Sequence, residues 1–199
     1  MGGEAVASRA KSEPDSEVRA IADENALLRA SLAEMRQRLG ELEQIADTDT
    51  LTPLPNRRRF LRELERVVGQ AERHGTPAAV LYIDLNGLKT VNDRHGHVAG
   101  DAALIHVARL LQGLIRATDV VARIGGDEFG LILDHLDHNS AIETAERIGR
   151  CVAANPLDLG GCQISVKAAI GVATILPGDT AADVMQRADR NMYVAKQEG

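Results

Sequence analysis

Aromatic residues are scarce in this chain: two tyrosines, two phenylalanines and no tryptophan in 199 residues. A surface that stacks nucleic-acid bases on rings has little to build with, and a formal charge of −6 removes the basic footprint that such binding needs. Long apolar runs are missing as well. No stretch approaches the roughly 20 apolar residues that cross a bilayer, and the N-terminus lacks a basic-then-apolar signal pattern. Residue 6 is Val, where an N-myristoylation pattern needs Ser or Thr. Cysteine is limited to Cys151 and Cys162, without metal-ligand spacing, which fits reduced thiols in core or strand positions of a cytoplasmic protein. With 44% hydrophobic and 26% charged residues, the balance is that of a globular chain long enough for one domain and an extension. The acidity also means that a polyanionic substrate must be met by local cations or a metal.

What the chain does have begins with a heptad repeat. Val18, Asn25, Leu32, Leu39 and Ala46 fall at a, and Ile21, Leu28, Met35 and Leu42 at d, with mostly polar residues elsewhere. This reads as a coiled coil. Asn25 at an a position is best satisfied by its own copy across a parallel two-stranded seam, which sets register and lowers stability. The flanking charges agree, since Glu24 at g can meet Arg29 at e of a partner, and Arg38 can meet Glu43. Each surface pair contributes only about 0.3–0.5 kcal/mol, so they choose orientation more than strength. A single amphipathic helix packed on its own domain is the alternative. The expected organisation is residues 1–16 as a disordered lead-in or expression remnant, 17–48 as a dimerising helix and 49–199 as one domain.

Pro53, Pro55 and Asn56 end one helix and prepare another from about Arg57 to His74, with Phe60, Leu61, Leu64, Val67 and Val68 on one side. Gly75-Thr76-Pro77 breaks it. Ala78 to Leu85 reads as a buried central strand. Asp84 then lies at the carboxyl end of that strand, where open α/β sheets place ligands. A short helix opens at Asn86-Gly87-Leu88-Lys89 and ends near Gly96. Further helices run from about Asp101 to Ile115 and from Ser140 to Ala154. Leu157 to Ile175 looks like a hairpin with one long strand from Cys162, and Ala181 to Lys196 closes the chain as a helix. The order implies an α+β fold, a mixed central β-sheet flanked by helices and preceded by the long coiled-coil helix.

The rest is organised around residues 123 to 130. Apolar runs at Val120 to Ile124 and Phe129 to Leu133 flank Gly125-Gly126-Asp127-Glu128. Paired glycines there favour a tight hairpin, because Gly takes positive φ at little steric cost. Strand alternation points Asp127 and Glu128 opposite ways. One carboxylate is thereby presented beside bare backbone, where a bulky anion can approach; a hairpin with a solvated acidic tip is the plain alternative. Asp84 and Asp127, on separate strands, form a candidate Mg²⁺ site, since magnesium prefers oxygen ligands and keeps positions open for substrate phosphates. Spacing alone does not single them out among the chain's acids.

The string Gly125 to Phe129, GGDEF, resembles the signature of the diguanylate cyclase family. Three further stretches are similar to that family in order and spacing. Asp49 to Arg58 matches the opening of such domains, Asp84 to Asp93 followed by His95 to Asp101 a second signature, and Arg187 to Lys196 the close. The resemblance covers about 150 of the 199 residues and implies condensation of two GTP into cyclic di-GMP and two pyrophosphates. It implies that Asp84, Asp127 and the Leu85 carbonyl hold Mg²⁺, with Mn²⁺ an alternative, and that Asp127 helps deprotonate the attacking 3′-hydroxyl, with Glu128 beside it in the catalytic turn. Asn92 and Asp101 would read the guanine edge, with His97 near the nucleotide. Lys89 would stabilise the transferring phosphoryl, backbone amides near Gly87 would take phosphate oxygens, and Lys196 the terminal phosphates. Arg116 and Asp119 form an RxxD at the offset of the family's product-binding inhibitory site, with Arg147 a candidate second arginine.

One such domain holds one GTP, so two must face each other, and the coiled coil supplies a homodimer. The family pattern is not matched everywhere. Pro53 stands where Gly is usual, Asn86 where a second Asp is common and Leu88 where Phe is common. The chain ends at Gly199, short of an arginine that such domains use for phosphate, and reduced substrate affinity is the expectation. The rival reading is a catalytically silent cyclic di-GMP receptor built on Arg116 and Asp119, against which the presence of Asp84, Asp127 and Lys89 counts. A pure scaffold leaves the guanine-binding pair unexplained.

Overall fold

The heptad segment forms one long helix, α1 (Ser12–Asp47), in a computed structural model that describes residues 12–198. It starts inside the stretch expected to be disordered. Pro14 falls in its first turn, where backbone N–H groups have no intrahelical acceptor to lose, so the proline is tolerated. The remainder of that stretch lies outside the described residues. Val18, Ile21, Leu28, Leu32, Met35, Leu39 and Leu42 are 50–65% exposed in the single chain. Asn25 donates from Nδ2 to the Ile21 carbonyl at 3.0 Å, and Arg38 pairs with Glu34 one turn back at 2.7 Å. The Glu43 side chain lies outside the described residues. Met1–Ala46 and Asp47–Gly199 are separate compact units.

In the second unit, β1 (Ala78–Asn86) is the central strand, and its alternation sorts the core into two layers. Ala79, Leu81, Ile83 and Leu85 face one way, against α3 (Leu88–His95), α4 (His97–Leu114) and α5 (His138–Ala154). Ala78, Val80 and Tyr82 face the other, against α2 (Arg57–His74) and α6 (Ala181–Glu198). Leu81 and Ile83 are fully buried; truncating either to Ala would cost about 2–5 kcal/mol. The layers close tightly over the sheet. A Cβ on Gly130 would lie 2.7 Å from the Phe60 ring, and one on Gly171 would meet the Ala188 carbonyl at 2.1 Å.

The sheet order is β2-β3-β1-β6, with β2 (Val120–Arg123), β3 (Glu128–Asp134) and β6 (Lys167–Thr174). Strands β1 and β2 are joined through α3 and α4, and β3 inserts between them, antiparallel to both. On its other side β1 pairs antiparallel with β6. All of these pairs are therefore antiparallel, which corrects the mixed sheet expected within the α+β class. The crossover leaves a one-strand gap that the following hairpin fills, so parallel strands never become neighbours.

Local signals explain most boundaries. Asn56 caps α2 by accepting from the Arg59 N–H at 3.1 Å, and Asp137 caps α5 by accepting from Ser140 N–H at 2.9 Å. Helix α4 starts four residues before the expected Asp101, so Asp101 is inside the helix and not its cap. The long strand expected from Cys162 is two elements. β5 (Gln163–Ile164) pairs with β4 (Leu157–Asp158) in a small separate sheet, and β6 restarts at Lys167 to pair with β1. Neither cysteine is in the core: Cys151 is half-buried on α5, and Cys162 is exposed in the β4–β5 turn. Among the described residues, no helix is long and apolar enough to cross a membrane.

Candidate active site

The Gly125–Glu128 turn is a hairpin, but its glycines are needed for a different reason than positive φ, which neither adopts. A Cβ on Gly125 would lie 2.0 Å from Oε2 of Glu128, so Gly125 makes room for that carboxylate to fold back over the turn. Gly126 is exposed with open space where a Cβ would be, the bare backbone expected beside an approaching anion. Glu128, the first residue of β3, is registered directly opposite Asp84 on β1. Cross-strand partners share a face, so these two carboxylates stand side by side. Asp127 precedes the strand and is half-buried; its carbonyl accepts from the Leu85 N–H at 3.0 Å, which ties the turn to the end of β1.

Asp84 is buried, and its charge is met from the last turn of α6, where Lys196 Nζ lies 2.6 Å from Oδ1. The hydrogen bond to Asp84 raises the Lys196 pKa against the opposing effect of desolvation, and the charges of Asp84, Asp127 and Glu128 add to it. Asp84 is the carboxylate in contact with the Lys196 ammonium, while Asp127 and Glu128 act on it through their charge. Lys196, expected at phosphate, is here on the carboxylate assigned to metal. Tyr82, two residues before Asp84 on the same face, is buried; burial first, then the nearby Glu128 carboxylate, push its ionisation well above the usual range.

A brace not assigned from the sequence holds the turn from outside. Arg123, mostly buried at the end of β2, donates to the Gly126 carbonyl from Nη2 at 2.7 Å and Nε at 3.2 Å. Its Nη1 reaches Asp49 at 3.1 Å. Burial alone would raise the Asp49 pKa, but hydrogen bonds from Thr52 and the Arg123 guanidinium outweigh it and hold the carboxyl below its ordinary value. Arg57 adds a bond from Nη1 to the Ile124 carbonyl at 3.3 Å. The available signal was a charged residue inside an apolar run and an acid in the opening motif; only the fold pairs them. Nearby, Asp47 accepts from Arg62 and Arg58, whose hydrogen bonds lower its pKa.

Beyond β1 the chain turns at Gly87, whose φ of +89° only glycine takes without strain, and enters α3 with no side-chain cap. The first-turn N–H groups are left to a ligand or to water. Lys89 is exposed in that turn. One turn on, Asn92 is half-buried, its Oδ1 so close to Gly100 that a Cβ there would sit 1.9 Å away. This close helix–helix corner brings Asn92 beside the residue preceding Asp101, which is exposed on α4. His97 is exposed at the first position of α4.

The RxxD turn lies at the far end of β2 from the acidic turn. Asp119 accepts from the Arg116 N–H at 2.9 Å, and its own N–H returns to the Arg116 carbonyl at 3.1 Å. Beside it opens a cavity of about 690 Å³ lined by Arg116, Asp119 and Asp134, with Arg59 and Arg66 from α2. Arg147 is not in that cavity. It shares a smaller one of about 250 Å³ with Arg116 and Asp119, and donates from Nη1 to the Leu114 carbonyl at 3.2 Å. Arg59 and Arg66, one helical face apart from any motif, were not singled out by the sequence.

An oxygen-only donor set at Asp84, Asp127 and Glu128 suits a hard divalent cation, and the ammonium on Asp84 marks a carboxylate that takes up positive charge. Among the described residues no three His, Cys, Asp or Glu side chains are gathered closely enough to hold a metal by themselves.

A family model described as the diguanylate cyclase GGDEF domain matches residues 46–199. The bifunctional diguanylate cyclase/cyclic di-GMP phosphodiesterase MucR of Pseudomonas aeruginosa is 40% identical over 161 residues, covering 80% of this chain and 23% of MucR. Diguanylate cyclase TpbB of the same species is 38% identical over 170 residues, covering 83% of this chain and 39% of TpbB. The chain thus spans less than half the length of these curated relatives. The solved coiled coil and GGDEF domain of DgcB from Caulobacter crescentus, in complex with c-di-GMP, superposes with a TM-score of 0.79 at 29% identity, over 92% of this chain and 96% of that one. With the family model covering the whole of the second unit, this chain belongs to the GGDEF-domain diguanylate cyclase family.

Proposed function

We propose that the chain is a dimer-dependent diguanylate cyclase, condensing two GTP into cyclic di-GMP and two pyrophosphates. The observation that carries this reading is the convergence of Asp84, Asp127, Glu128 and Lys196 at the end of β1. Asp84 and Asp127, with the Leu85 carbonyl, would hold the divalent metal that this family generally uses, Mg²⁺ or Mn²⁺. When bound, that cation would neutralise charge building on the α-phosphate. Asp127 takes the proton as the 3′-oxygen of one GTP attacks the α-phosphorus of the other and the bond to pyrophosphate breaks. Lys89 and the open amides after Gly87 stabilise the phosphoryl oxygens. Asn92 and Asp101 match guanine's acceptors and donors, His97 borders the nucleotide, and Lys196 serves the terminal phosphates.

Each domain supplies half of the reacting pair, so a parallel homodimer through the exposed apolar seam of α1 is part of the proposal. Deleting residues 1–46 retains every proposed ligand, and turnover per chain should then rise with protein concentration. The cavity at Arg116 and Asp119, with two further arginines on its wall, supports product inhibition there. The test is direct: purified chain, GTP and Mg²⁺, with nucleotide products separated by chromatography. Cyclic di-GMP and pyrophosphate in a ratio of one to two are expected. Unconsumed GTP, with cyclic di-GMP still bound, would favour the silent receptor.

A further inference from the structure

A carboxylate taken out of water needs a partner, because a buried charge left alone is strongly unfavourable. Asp84 meets its partner across 112 residues, with Lys196 Nζ at 2.6 Å from Oδ1. Helix α6 arranges the meeting. Val184, Ala188 and Met192 form its buried stripe at a spacing of one turn, and Lys196 is the next position on that stripe. Gly171 on β6 lets the helix sit this low, since a Cβ there would lie 2.1 Å from the Ala188 carbonyl and the Met192 nitrogen.

The two members of the pair differ in freedom. The Asp84 side chain is 10% exposed on the central strand, while that of Lys196 is 43% exposed in the last turn of α6. Water screens the lysine end, which keeps the contact weak enough to open. The ammonium is a point charge on a flexible four-carbon stem, so it can leave while the helix stays. The cyclase reading sends each member elsewhere, Asp84 to a divalent cation and Lys196 to the terminal phosphates.

We propose that Lys196 is a releasable counter-ion. It competes with a divalent cation for Asp84 and yields the carboxylate when nucleotide phosphates take the ammonium, so that metal and nucleotide enter together. The competition stands on the contact; the release rests on the cyclase reading.

Lys196→Gln removes the charge and keeps a donor for the buried carboxylate. Without nucleotide, Mn²⁺ binding followed by electron paramagnetic resonance should tighten about tenfold, the effect of removing one competing charged hydrogen bond. The α,β-methylene analogue of GTP cannot release pyrophosphate, so it tests the second half without turnover. Adding it should raise Mn²⁺ affinity more in the parent than in the variant. Equal affinities without nucleotide overturn the competition, whether or not the chain makes cyclic di-GMP. Equal gains from the analogue overturn the release.

A further measurement needs no folded variant. The chain has only four lysines, so nitrogen-15 resonances of its ammonium groups are few. Lys196 should give one protected from solvent exchange, and the analogue added without metal should shift it. Absence of any protected ammonium overturns the contact, and a protected one that the analogue leaves unmoved overturns the release.

Discussion

The two turns at opposite ends of β2 are built in opposite ways. Around Arg116 and Asp119, the turn closes mainly through bonds between residues three apart, with one further bond from the Asp134 N–H to Asp119 at 3.3 Å. The acidic turn is held by groups from distant parts of the chain: Asp49 through Arg123, Leu85 on Asp127, and Arg57 on Ile124. A self-closed turn tolerates change in its surroundings. A turn braced from several elements has a defined geometry only when the whole domain is folded, which suits a site that must place reacting atoms within a fraction of an ångström.

Substitutions should separate the turns. Asp127→Asn keeps shape and removes charge, and is expected to reduce cyclic di-GMP formation by about 10³-fold or more with fold and dimer intact; unchanged turnover would remove Asp127 from the mechanism. Gly125→Ala puts a methyl group where Glu128 Oε2 lies. A loss of about 1–3 kcal/mol in stability and about 10²-fold in kcat is expected, read by denaturant melts and single-turnover kinetics.

Asp49→Asn tests the brace and should cost about 1–3 kcal/mol. Because the folded-state pKa of Asp49 is depressed, its contribution is present above the ordinary carboxylate value, about 3.9. It is lost as pH falls through the lower folded value, so parent and variant stabilities should converge in acid. A constant gap down to the acid transition would show that the charge plays no part.

The smallest stability effect is expected at the self-closed turn. Arg116→Ala leaves the backbone bonds of the turn in place, so unfolding should change by less than about 0.5 kcal/mol. Its progress curve should nevertheless run on at product levels that stall the parent. Overlaid curves would show that the cavity at Arg116 does not report product.

Periodicity and local chemistry were enough to read the heptads, the helix that Asn56 opens, the buried strand ending at Asp84 and the hairpin after Val120, because each depends on residues close in sequence. The motif residues carried the family. Four features needed the fold. The antiparallel sheet came from β3 filling the gap left by a crossover, and the restart at Lys167 from a change of pairing partner. Gly125 proved to serve a side-chain approach and not a backbone angle. The fourth is the pair of contacts Asp49–Arg123 and Lys196–Asp84, which span 74 and 112 residues. No local pattern encodes such pairs, since each charge is satisfied only by a partner that folding delivers. Sequence alone therefore determined which chemical groups this protein has and the order of its elements. Tertiary structure decided which of those groups meet, because burial in a shared core is what makes a distant carboxylate and its cation neighbours.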